Sequence, residues 1–129
     1  DGLGMGTKQD HKRWRASFNE ACLKRDSNSC KSCSIKESPF HPLDVHHITP
    51  RKAMPNGGYS PKNGVSLCDS CHQKAEYYLQ CLEHTSAGEF SAVGSFLWMQ
   101  ENPTYSPDSL YALIQCSYED AWRDSNKLV

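Results

Sequence analysis

Four of the seven cysteines fall into two CxxC pairs, Cys30/Cys33 and Cys68/Cys71. Each CxxC turn points two thiolates at one spot, and two such turns suit a tetrahedral zinc ion with bonds of about 2.3 Å to sulfur. A metal held by chain-distant pairs also closes a loop that a weak core would leave open. The competing use is a disulfide scaffold, but an odd count of seven argues against full pairing. Cys22, Cys81 and Cys116 stand alone among apolar neighbours and read as small buried hydrophobes. Three histidines accompany the pairs: the adjacent His46 and His47 between them, and His72 directly after Cys71. Cys68-Asp-Ser-Cys71-His72 also spells the haem-attachment pattern CxxCH. That reading needs an oxidising compartment and leaves Cys30 and Cys33 without a purpose.

These residues must be positioned by a small structure. The chain has 129 residues, of which 37% are hydrophobic, and its mean hydropathy is -0.71. It fits one domain with a thin core, in need of a metal, cross-links or a partner. No stretch approaches the roughly 18 apolar residues of a membrane span. Asp1 to Gly4 precede Met5, and no charged-then-apolar leader is expected after them. The expected setting is the cytoplasm or another reducing intracellular compartment, with a phage or plasmid among the candidate sources.

The spacing of Trp14, Phe18, Ala21 and Cys22 predicts an amphipathic helix from about Gln9 to Arg25. Asp26-Ser-Asn-Ser is turn chemistry, and 34–42 is polar, Pro-interrupted loop. Leu43 to Ile48 alternates with β-branched residues up to Pro50, a short strand; Val65 to Leu67 is a second. Between them, 50–64 is rich in Pro, Gly, Asn and Lys and reads as a long functional loop. Asp69 or Ser70 caps a helix to about His84, ended by Gly88. Two more short helices are expected over Phe90 to Gln100 and Ser109 to Cys116. The segment 43–84 is thus a β-β-α unit with thiolate clips at its base.

Leu43-Asp44-Val45-His46-His47-Ile48, then Asn63, then Cys68-Asp-Ser-Cys71-His72, resembles the HNH endonuclease family. Leu23-Lys24-Arg25-Asp26 before Cys30 looks like that family's approach to its first zinc knuckle. The resemblance covers about residues 20 to 80, and its features are specific because five of them occur in order. It implies an α+β fold: a small zinc-stabilised ββα-metal unit over 8–87, an N-terminal helix, and a helical extension over 88–129, all in one domain. It implies that His47 is the general base for attack of water on a phosphodiester, a role that an imidazole of ordinary pKa near 6.5 can fill. It makes His46 and His72 ligands of the catalytic divalent ion, Asn63 the residue that pins the loop and orients the base, and the four cysteines holders of structural zinc. An all-imidazole pair favours Mn²⁺, Ni²⁺, Co²⁺ or Zn²⁺, with Mg²⁺ expected in the cell by abundance. Regular strand geometry poses a difficulty, because His46 and His47 face opposite ways unless the strand ends or bulges there.

The expected substrate is DNA. Residues 1–72 carry 11 Lys/Arg against 7 Asp/Glu, whereas 73–129 carry 3 against 8, so the motif-bearing half is the basic one. Arg51, Lys52 and Lys62 in the loop, and Lys12, Arg13 and Arg15 on the first helix, are candidates to hold the backbone. Trp98, Tyr105, Tyr111 and Trp122 equip the acidic tail to pack against the nuclease unit or a partner. One active site per chain would nick one strand, and a homodimer could cut both. The rivals are a zinc-held module that binds nucleic acid without cutting it, and an assembly protein that works through its helical tail.

Overall fold

A computed structural model describes residues 6–87 and 92–128. Its elements are α1 (Lys8–Arg25), β1 (Leu43–His47), β2 (Gly64–Cys68), α2 (Asp69–Ala87), α3 (Ala92–Glu101), α4 (Pro107–Leu113) and α5 (Tyr118–Asn126). The fold is α+β. No helix among the described residues is long and apolar enough to cross a membrane.

Helix α1 begins where its sequence supplies a capping box. Thr7 accepts from the Asp10 backbone N–H, and the Asp10 carboxylate accepts from that of Thr7, both at 3.1 Å. Its stripe Trp14, Phe18 and Cys22 is buried and meets Tyr59 in a small core of its own. The helix end is tied down by Arg25 and Asp26. The buried Asp26 carboxylate takes two guanidinium bonds of 2.7 and 2.8 Å and a 3.0 Å bond from the Ser66 backbone N–H of β2. Arg25 also donates to the carbonyls of Pro61 (2.8 Å) and Gly64 (2.7 Å), so this one pair joins α1, the loop and β2.

β1 and β2 pair antiparallel in a two-stranded sheet, with His46 opposite Val65 and His47 opposite Gly64. α1 covers one face and α2 the other, and the outer edge of β1 has no third strand among the described residues. The main core joins Val65, Leu67, Ile48 and Met54 to Leu110, Tyr111, Ile114 and Ala121 from the C-terminal helices. The chain after residue 92 therefore completes the core of the ββα unit rather than trailing from it.

The long loop departs from its expected character. Residues 51–63 form three short 3-10 turns, Arg51–Ala53, Pro55–Gly58 and Pro61–Asn63, and 54–60 are buried throughout. α5 lies over them: Asn56 donates to the Ser125 carbonyl at 2.8 Å, and Lys62 pairs with Asp124 at 3.0 Å. Two helix boundaries also shift. The helix expected over Ser109 to Cys116 runs Pro107–Leu113, capped by Ser106, and a further helix, α5, starts at the Ser117 cap. Gly88 and Phe90, expected to end one helix and start the next, lie outside the described residues.

Candidate functional site

The four paired cysteines converge. Their sulfurs all lie within 4.8 Å of one another, with Cys33 and Cys68 3.7 Å apart. A tetrahedron with sulfurs about 2.3 Å from its centre has edges of about 3.8 Å, so the cluster fits a zinc ion. All seven cysteines are free thiols. Burial opposes ionisation of Cys30, but hydrogen bonds from the backbone N–H groups of Cys33, Cys68 and Ser32 outweigh it and bring the thiol down to about 7. Burial pushes the Cys68 and Cys71 thiols up. The Tyr105 hydroxyl, from the turn before α4, donates to Cys71 sulfur at 3.5 Å. Cys22 and Cys81 are buried and Cys116 half-buried, apart from this cluster.

A second cluster joins His46, His72 and Glu76, again with one donor atom from each within 4.8 Å of the others. Glu76 Oε1 is 3.1 Å from His46 Nδ1 and 3.3 Å from His72 Nε2. Adjacent donors around an octahedral ion with bonds of about 2.1 Å are about 3 Å apart, so these separations suit a divalent cation. His46 is 1% exposed, and its Nε2 is buried without a hydrogen-bond partner among the described residues. The hydrogen bond from His46 holds the Glu76 carboxyl below its ordinary range, keeping it anionic. Asp44 Oδ2 lies 3.3 Å from His72 Nδ1, which leaves Nε2 to turn toward the cluster.

The donor set is therefore two imidazoles and a carboxylate, not imidazoles alone. Sequence reasoning missed both acids, though each had a signal. Asp44 is two residues before His46 and shares its strand face; Glu76 is four residues after His72 and shares its helix face.

His47 occupies the opposite face of β1. It stacks on Phe18 at 4.6 Å with 27° between the planes, and Tyr59 meets it edge-on at 5.3 Å. Gly64 makes room for this stack, because a Cβ there would lie 2.5 Å from Phe18 Cζ. Burial, then the charges of Arg51, His46 and Arg15, lower the His47 pKa to about 4. His47 borders the cleft directly, whereas the buried His46 reaches it only through its cluster partners His72 and Glu76, and no bulge is needed. Pairing stays regular through His47, where the strand ends, and the cleft straddles the open edge of β1. A cavity of about 710 Å³ is lined by His47, Arg51 and Lys52 on one side and by His72 and Glu76 on the other.

Asn63 is fully buried behind this cleft and makes four side-chain bonds. Its amide nitrogen donates to the carbonyls of Thr49 and Gly58, both at 3.1 Å. Its oxygen accepts from the Thr49 backbone N–H at 3.0 Å and from the Tyr111 hydroxyl at 2.7 Å. The Asn63 carbonyl takes the Ile48 N–H at 2.9 Å, so the chain leaving His47 is fixed from both sides. Burial pushes the Tyr111 hydroxyl up to about 12, which keeps it a donor. Arg51 and Lys52 line the cleft, whereas Lys62 is drawn to Asp124 and does not.

Fold and site together define a small α+β protein: a ββα unit with a thiolate cluster at its base and a mixed imidazole–carboxylate cluster at the edge of its sheet. Residues 30–77 match the family model for HNH endonucleases. The match spans both cysteine pairs, both strands, the three histidines, Asn63 and Glu76, and leaves α1 and 78–129 outside. No curated protein and no solved structure matches the chain.

Proposed function

We propose that the protein is a metal-dependent DNA endonuclease that hydrolyses phosphodiester bonds, leaving 5′-phosphate and 3′-hydroxyl ends. The observation that carries this reading is the shared cleft: an uncharged imidazole faces a three-donor cation cluster across a space lined by Arg51 and Lys52. Zinc at the four cysteines would hold the scaffold. His46, His72 and Glu76 would hold a divalent ion, which when bound stabilises negative charge on the phosphate and on the departing 3′-oxygen. Two imidazoles and one carboxylate suit Mn²⁺, Co²⁺, Ni²⁺ or Zn²⁺, and the carboxylate makes Mg²⁺ a better candidate than imidazoles alone would.

His47 takes a proton from the water whose oxygen attacks phosphorus; the bond to the 3′-oxygen breaks, and that oxygen gains a proton from solvent. A base with a pKa of about 4 is weak before substrate binds. A DNA phosphate beside Arg51 offsets one of the charges that depress it, so His47 becomes more basic when substrate arrives. Asn63 acts by position: it fixes Thr49 and Gly58, the two ends of the turn that carries Arg51 and Lys52. The test is nicking of supercoiled plasmid. Wild type with Mn²⁺ or Mg²⁺ is expected to convert it to open circles, and chelator or His47→Ala to abolish conversion. DNA binding with no conversion under any divalent ion would leave a non-catalytic zinc-held binding module instead.

A further inference from the structure

Beside the catalytic cleft lies a second cavity, of about 550 Å³, lined by Lys8, Lys12, Arg15 and Arg51. It is continuous with the first, because His11 and Arg51 line both. Arg15 and Arg51 come from distant parts of the chain yet are set on one ring, their guanidinium carbons 5.8 and 5.4 Å from the centre of Tyr59. Tyr59 is 2% exposed and packed against Phe18 and His47, and its hydroxyl accepts from Arg15 at 3.1 Å. Among the described residues, no carboxylate forms an ion pair with any of these four cations. Asp10, the nearest acid on α1, is occupied by the Thr7 cap and by Arg13.

Two guanidiniums gathered at one aromatic ring repel each other, and an anion between them removes that repulsion. Their planar donors match phosphate oxygens better than a lysine's point charge does. Phosphates recur about every 3.4 Å of helix axis along one DNA strand. A strand with its scissile linkage at His47 therefore brings a neighbouring phosphate to the adjoining cavity. We propose that Arg15 and Arg51, held on Tyr59 and flanked by Lys8 and Lys12, form a second phosphate site that grips a non-scissile linkage of the bound DNA.

This site rests on the DNA endonuclease reading but is tested separately from cleavage. Binding of a short DNA duplex is followed by fluorescence anisotropy without a catalytic ion, replacing one phosphate at a time by an uncharged methylphosphonate. Neutralising one particular linkage is expected to weaken wild type about tenfold. In Arg15→Gln/Arg51→Gln the same replacement should cost nothing further, and the salt slope of log affinity should fall by about 0.9, because one phosphate charge is no longer neutralised. Both side chains are exposed, so the variant keeps its fold. A variant that binds like wild type, or that stays as sensitive to every methylphosphonate as wild type, overturns the site even if plasmid is nicked. Loss of sensitivity at one linkage in a protein that never nicks plasmid would support the site and refute the nuclease reading alone.

Discussion

Tyr111 lies outside the family match, yet its hydroxyl touches the centre of the motif. It donates to Asn63 Oδ1 at 2.7 Å and accepts from Thr49 Oγ1 at 2.7 Å. Tyr111→Phe keeps the ring in the core and removes only these two bonds. Asn63 Oδ1 retains the Thr49 N–H, so no acceptor is wholly orphaned. At about 1 kcal/mol per buried hydrogen bond the cost is about 2 kcal/mol. For a chain of this size that lowers the midpoint of thermal unfolding by roughly 8 °C. Slack in the segment after His47 misplaces the base, so kcat for plasmid nicking is expected to fall roughly tenfold while KM changes less than about twofold. Thr49→Val removes the other end of one bond. The double variant should lose about 1 kcal/mol less than the sum of the singles. A Tyr111→Phe protein with wild-type melting and wild-type kcat would refute the idea that the C-terminal helices hold the catalytic loop.

Three further outcomes follow from the site. Removing metal from the protein with a strong chelator, or Cys68→Ser, should unfold the ββα unit, read as lost amide dispersion by NMR, because a zinc ion at the cysteine cluster would clamp 30–33 to 68–71. Glu76→Gln should weaken binding of Mn²⁺ roughly 10- to 100-fold by calorimetry while leaving zinc in place, since it removes one of three donors and its charge. In pH profiles, protonation of His47 removes the base, so the rate falls about tenfold per unit on the acid side. The limb of kcat/KM, which reports the free enzyme, should lie at about pH 4, and that of kcat higher, because bound phosphate offsets Arg51 and Arg15. A kcat limb at lower pH than that of kcat/KM would contradict the coupling.

Much of this site was legible because its signals are local. CxxC spacing announced the sulfur cluster, and the 3.6-residue stripe of Trp14, Phe18 and Cys22 announced α1. Alternation and Pro50 placed β1 within a residue of its end. Asp44 and Glu76 needed one more step, applying the strand and helix periods outward from His46 and His72. The α5 signal was also present, in Ser117 followed three residues later by Asp120, whose N–H the Ser117 hydroxyl caps at 3.1 Å. Tyr111 was beyond reach. Its bond to Asn63 spans 48 residues, and that of Asn56 to Ser125 spans 69; such pairings depend on how helices dock, not on any periodicity. For the same reason the Pro- and Gly-rich segment looked like an open loop. Its composition reports turns and is silent about the helix that covers them.

Cleavage by the proposed chemistry requires a divalent ion held beside His47. Anomalous diffraction from crystals soaked in Mn²⁺ locates it directly. A manganese peak within about 2.3 Å of His46, His72 and Glu76, distinct from a zinc peak among the four sulfurs, is the predicted result. Manganese bound only elsewhere, with the two imidazoles and the carboxylate still bonded to one another, would contradict it.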